Sequence, residues 1–204
     1  AAGAAGVELV SCGPRVPAPP SDAGRGGVLV PHLSRPAGDV ARARATSLAL
    51  LEALTPVLAG GGTRLAWRTS ALRPTSVQDL LQLVDVAGRN AALDLSVIGL
   101  AAAGLDPARA ARELVGSGRV ALVALGNLEP GPGRKGAFLD EGAVDVPVLV
   151  AALRDAGYGG FLRAGQPPLL TEASPWGHEG RAFDLGYLRA VLQALDHRDR
   201  RPPR

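Results

Sequence analysis

VALVALGNLEPGPGRKGAFLDEGAVDVPVLVAALRDAGYGGFLR, Val120 to Arg163, decides the fold. Its apolar run Val120 to Leu125 has the continuous hydrophobicity of a strand buried on both faces of a parallel sheet. A Gly/Pro loop follows, Glu129 to Gly136. Asp145 then stands as an N-cap, with Pro147 in the first turn of a helix. Val148, Leu149, Ala152 and Leu153 are expected to form that helix's apolar face. Gly157 ends it, and Gly160-Phe161-Leu162-Arg163 opens another strand. The result is a strand–loop–helix–strand unit, whose long loop lies where such units place their chemistry.

Working outward, the same alternation recurs. Gly27 to Val30 begins a short strand ending Pro31-His32-Leu33-Ser34, and Asp39 caps a helix to about Ala59 that Gly60-Gly61-Gly62 stops. Thr63 to Trp67 is the next strand, with Arg68 at its end. Thr75-x-x-Gln78 has capping-box spacing for a helix to Ala87, Ala91 to Leu95 is a strand, and Asp106-Pro107 starts a helix ending at Gly116. Pro14 to Gly27 and Pro167 to Gly180 read as loops. Phe183 to Leu195 reads as the last helix, with Phe183, Tyr187, Leu188, Val191 and Leu192 as its core face. The organisation expected is one domain over residues 1–195 and a disordered basic tail over 196–204.

Bulk properties narrow the function classes. The chain has 204 residues and is 47% hydrophobic, enough for one sizeable core. The net charge is +3, its arginines are scattered and aromatics are 3%, which does not make a nucleic-acid footprint. Cys12 is the single cysteine, so neither an internal disulfide nor a cysteine metal cluster can form. No apolar run has membrane-spanning length. The expectation is a cytoplasmic protein with neither membrane nor nucleic acid as partner. A closed eight-unit βα barrel takes about 250 residues, so a barrel here would be short by one or two units. Its exposed sheet edges would favour a homo- or hetero-oligomer.

The central unit resembles a known family. Leu139-Asp140-Glu141-Gly142, Val144-Asp145 and Ala156-Gly157-Tyr158-x-Gly160 are similar to the closing units of xylose-isomerase-like TIM barrels, a superfamily of sugar isomerases, epimerases and endonuclease-IV relatives. Within it these segments, and Gly180-Arg181-Ala182-Phe183-Asp184-Leu185-Gly186-Tyr187-Leu188-Arg189, are most similar to mannonate dehydratases. The resemblance implies an α/β fold of (β/α)8 TIM-barrel type, a sugar or sugar-acid ligand, and a divalent metal such as Mn²⁺ held by carboxylates and histidines at the strand ends. Gly6-Val7-Glu8-Leu9-Val10 is similar to either of two early barrel strands, one carrying G-V-E-L and the other followed by a Val-Pro pair, as at Val16-Pro17.

Position by position, several of those ligands are missing. Arg68 stands where the family's strand ends in glutamate. Leu93-Asp94-Leu95-Ser96-Val97 resembles L-D-x-x-H, with Asp94 kept and Val97 at the histidine position. Val123-Ala124-Leu125-Gly126-Asn127 resembles V-H-x-x-D/N, with alanine for histidine and Asn127 left polar. After Arg163, Ala164-Gly165-Gln166 replaces the expected carboxylate. The candidate ligand-binding residues are therefore His32, Asp94, Asn127, Gln166, Arg68 and Glu141, with no metal site and no cofactor unless that site is intact. His32 reads equally as a loop histidine. Asp140-Glu141 reads as a solvated pre-helix loop or an acid/base pair, and Gly131 to Gly136 as a flexible loop or a phosphate cradle without Walker spacing. The expected function is a sugar isomerase/epimerase-like or mannonate-dehydratase-like barrel with a degraded metal centre, weakly active or inactive. The alternative is a non-catalytic binding module or a subunit of an active homologue.

Overall fold

The computed structural model describes residues 6–8, 28–32, 45, 49, 53, 64–72, 74–88, 90–131, 135–165 and 176–200. Among these, eight strands and six helices form in the order β1 (Gly6–Glu8), β2 (Val28–His32), β3 (Arg64–Arg68), α1 (Thr69–Leu72), α2 (Val77–Val86), β4 (Ala91–Ser96), α3 (Val97–Ala102), α4 (Pro107–Gly116), β5 (Val120–Leu125), β6 (Asn127–Leu128), β7 (Gly136–Ala137), α5 (Val146–Asp155), β8 (Phe161–Ala164) and α6 (Trp176–Asp199). The main sheet runs β1-β2-β3-β4-β5-β8, and β6 pairs with β7 in a small ribbon. From β2 through β8 each neighbour is parallel to the last and strand order follows chain order. Parallel strands laid down in sequence, with helices between them, are the βα progression of a TIM-type barrel.

The sheet's two faces differ in kind. Leu65, Trp67, Leu93, Leu95, Val123, Leu125 and Leu162 point to the helices and join the large core with Leu80, Leu114, Leu149, Leu153 and Leu188. The opposite face carries the small residues Ala66, Ala92 and Ala121 with Leu122, and Phe161 packs against them. Period-two alternation puts Arg68 and Asp94 on that second face, because they pair in register two residues beyond Ala66 and Ala92. Between β4 and β5 the register slips: Leu93 faces Val120 but Asp94 faces Leu122, so Ala121 is an extra residue just before Asp94.

The helix starts follow from short polar caps. Asp106 accepts from the Ala108 and Arg109 amides, and Asp145 from Val148, each with proline in the first turn. In α2 the box lies one residue later than Thr75-x-x-Gln78. Ser76 caps and accepts from the Asp79 amide, while the Asp79 carboxylate accepts from Thr75.

Other expectations need correction. β1 runs antiparallel to β2, so it is not a member of the parallel series. Val148 is 51% exposed, and α5 packs instead through Val146, Leu149, Val150, Ala152 and Leu153. Phe183 is also outside the core, and meets Phe138 edge-on with ring centroids 5.3 Å apart. The last helix begins at Trp176 rather than Phe183 and continues to Asp199. Residues 196–199 are thus its final turn rather than a tail. Arg154 of α5 holds them there, bonding Asp196 at 2.6 Å and Asp199 at 3.2 Å. The loop expected over 14–27, most of the helix expected over 39–59 and the end of the tail, 201–204, lie outside the described residues.

The segment between β5 and α5 is tied down by one amide. Asn127 is buried, accepts from the Val144 and Leu128 amides at 2.8 and 3.0 Å, and donates to the Val144 and Leu139 carbonyls at 2.9 and 3.4 Å. Gly142 closes this clasp at φ +99, and a Cβ there would lie 2.5 Å from the Leu128 carbonyl oxygen and 2.8 Å from Asn127 Oδ1. Both the backbone angle and the space demand glycine. Gly142→Ala should therefore lower stability by about 1–3 kcal/mol in urea unfolding, whereas Gly116→Ala, on α4 where a Cβ meets nothing, should leave stability unchanged or raise it by up to about 1 kcal/mol.

Candidate functional site

Three side chains converge at the C-terminal ends of the strands. Asp94 is fully buried on β4. One of its oxygens, Oδ2, accepts from Arg68 Nε of β3 at 3.0 Å and from Arg163 Nη2 of β8 at 2.6 Å. Arg68 is its register partner on the next strand. Arg163 reaches Asp94 across β5, where its register partner is Ala124, a side chain short enough to leave the path open. The arginine side chains are 31% and 24% exposed, so the cluster is half open to solvent above a closed floor. Asp94 Oδ1 is buried and has no hydrogen-bond partner among the described residues.

Local packing fixes this geometry. The Ser96 amide donates to the buried Thr69 hydroxyl at 2.9 Å, joining the ends of β3 and β4, and the Ser96 hydroxyl caps α3 through Gly99. A Cβ on Gly99 would come within 2.8 Å of Ser70, so glycine lets α1 and α3 meet. Tyr158 secures β8: its buried hydroxyl donates to the Phe161 carbonyl at 2.9 Å, with the Ala121 carbonyl at 3.4 Å. Burial pushes that phenol far above its ordinary value, and the Asp94 charge adds to the rise against an opposing pull from Arg64. Gly160 is needed beside it, since a Cβ would sit 2.5 Å from the hydroxyl.

The divalent ion implied by the resemblance does not fit these residues. A cation needs lone pairs from carboxylate, imidazole or carbonyl groups. Here the strand ends offer two guanidiniums, which are always protonated and accept nothing. Both already sit on Asp94, the one carboxylate at these strand ends among the described residues. Val97, at the position of the expected histidine, is buried in the helix-side core as the first residue of α3.

The remaining candidates are dispersed. Asn127 spends both amide hydrogens and both oxygen lone pairs on backbone groups and has none left for a ligand. Glu141 is exposed in the turn where its amide bonds the Phe138 carbonyl, and no ion pair joins it to Asp94 among the described residues. His32 ends β2 by its backbone, and its side chain lies outside the described residues, as do Gln166 and Cys12. Arg163 is the participant that motif comparison passed over. Its signal was there: an arginine in phase with Phe161 on a strand whose other face is apolar.

A second buried carboxylate, Asp184 of α6, accepts from the Leu139 amide at 3.0 Å and pins the same loop that Asn127 clasps. Burial raises its pKa above the ordinary carboxylate value; the Leu139 bond opposes this and the Asp140 charge adds to it.

Comparison with known proteins is confined to structure. No family model matches the chain, and no curated protein matches it in sequence. Among solved structures it is similar to a mannonate dehydratase from Streptococcus suis serotype 2, at 17% identity and TM-score 0.63, covering 78% of this chain and 51% of that one. It is similar to a xylose isomerase domain protein from Planctomyces limnophilus at 15% identity and TM-score 0.64, covering 83% and 59%. It is also similar to the IolI protein with a bound zinc atom, at 15% identity and TM-score 0.60, covering 82% and 62%. The chain thus has the fold of xylose-isomerase-like TIM barrels and spans roughly half to three-fifths of those proteins' length.

Two measurements test the site. Asp94→Asn removes the charge that both arginines face and should cost about 3 kcal/mol in urea unfolding. Glu113→Gln, which breaks an exposed pair on α4, should cost no more than about 0.5 kcal/mol. For Asp184 the folded state favours the protonated acid. Its stabilising contribution is complete below the unfolded value of about 3.9 and is lost as pH rises through the higher folded value. Asp184→Asn should therefore be more stable than the parent chain at pH 7, and the gap should close as thermal melts are taken down toward pH 4.

Proposed function

We propose that this chain is a sugar isomerase/epimerase-like barrel protein whose divalent-metal centre has been replaced by an internal ion-pair cluster, leaving it weakly active or inactive as an isomerase, epimerase or dehydratase. The fold shared with a mannonate dehydratase and a xylose isomerase domain protein supports the first half of this reading. The observation that carries the second half is Arg68 and Arg163 bonded to one oxygen of Asp94. Metal-assisted sugar chemistry needs a Lewis acid to polarise adjacent oxygens. Guanidiniums can hold and orient an oxygen, but as hydrogen-bond donors they do not replace an ion with open coordination positions. Sugar or sugar-acid binding survives in this reading where rapid turnover does not. A single cysteine, Cys12, suits a cytoplasmic protein.

A second reading, a non-catalytic subunit completed by a partner chain, draws on the position of β8 at the end of the main sheet among the described residues. An edge strand presents unpaired backbone groups that another chain can pair with.

The test is metal dependence. Protein stripped with EDTA and titrated with MnCl₂ should show no shift in melting temperature beyond about 1 °C and no stoichiometric manganese by elemental analysis, with no metal-stimulated conversion of D-mannonate or of ketohexoses. A tight site would raise the melting point by mass action, by several degrees at a hundredfold excess over Kd. One equivalent of bound Mn²⁺ with metal-dependent turnover would overturn the proposal.

A further inference from the structure

We infer that Arg68, Asp94 and Arg163 form a binding site for a small hydroxylated oxyanion, a carboxylate or phosphate carrying a nearby hydroxyl. This deepens the metal-free reading above and rests on it. Arg68 commits only Nε to Asp94, and among the described residues its two Nη groups have no partner. Its side chain is the most exposed of the three, at 31%. The outer edge of a guanidinium matches two oxygens of a carboxylate or phosphate in a parallel, charge-assisted pair. Independently, Asp94 Oδ1 is a buried carboxylate oxygen without a donor among the described residues. A buried acceptor left so is destabilising, and a donor brought to it would relieve that penalty. A ligand serving both groups has negative oxygens for Arg68 and a hydroxyl for Asp94 close by on the same molecule. A neutral polyol supplies only the second. Oδ1 is enclosed in the present arrangement, so entry requires Arg68 to shift as it takes the oxyanion. Arg163 is the positioning residue: it holds Oδ2 from β8 while Arg68 moves.

Isothermal titration at low ionic strength tests this with D-gluconate, D-glucose 6-phosphate and D-glucose as probes. At least one of the two anions should bind about tenfold or more tightly than glucose, and more weakly as salt is raised. Arg68→Gln should weaken that binding about tenfold while its circular dichroism spectrum and melt stay those of a folded protein. Arg68→Lys, which keeps the charge but not the fork, should recover only part of it. Arg109→Gln, on the exposed face of α4, should leave it unchanged. The preferred anion distinguishes carboxylate from phosphate. Equal affinity for glucose, full affinity in a folded Arg68→Gln, or no binding of either anion would overturn the inference. Absent anion binding without manganese uptake defeats this inference alone, whereas manganese uptake defeats the reading beneath it.

Discussion

A carboxylate buried between two guanidiniums is the constraint around which the strand ends are arranged. Asp94 could not be enclosed as a lone charge, because desolvating an isolated carboxylate costs far more than a domain's net stability can absorb. Arg68 and Arg163 make its burial tolerable, and in return it links β3, β4 and β8 across the intervening β5. The rest of that face makes room: Ala66 and Ala92 below, Ala124 beside Arg163, and an extra residue, Ala121, that resets the register at Asp94.

The segments that resemble mannonate dehydratases turn out to be architectural. Leu139 to Asp145 is shaped by Asn127, closed by Gly142 and pinned by Asp184, and it delivers Asp145 as the cap of α5. Gly157 ends α5 at φ +81, and Tyr158 and Gly160 together lock the entry to β8. Loop and strand ends therefore differ in kind: side chains clasp the loop's backbone, while at the strand ends Arg68 and Arg163 meet Asp94.

Much of this was legible from residues alone. A continuous apolar run marked β5 because both faces of a parallel sheet are covered, and Asp106-Pro107 and Asp145-x-Pro147 marked helix starts through unsatisfied amides. Arg68 and Asp94 were also legible as polar residues at the ends of neighbouring strands. What was not visible depended on tertiary contact. Asn127 looked like a pocket residue because an amide does not reveal whether backbone or ligand will satisfy it. Val148 and Phe183 are apolar at helical spacing yet lie outside the core, since periodicity fixes a stripe but not its limits. The short helices α1 and α3 follow their strands without any breaker between, so nothing local announced them. The meeting of Arg163 with Asp94 spans 69 residues of sequence and required the register of three strands.

The most direct measurement is a crystal structure from crystals soaked in MnCl₂, with an anomalous difference map at the manganese edge. If the two arginines stand in the cation's place, the map is flat around Asp94 and both guanidiniums remain bonded to Oδ2. A manganese peak ligated by Asp94, with Arg68 and Arg163 turned away, would contradict it.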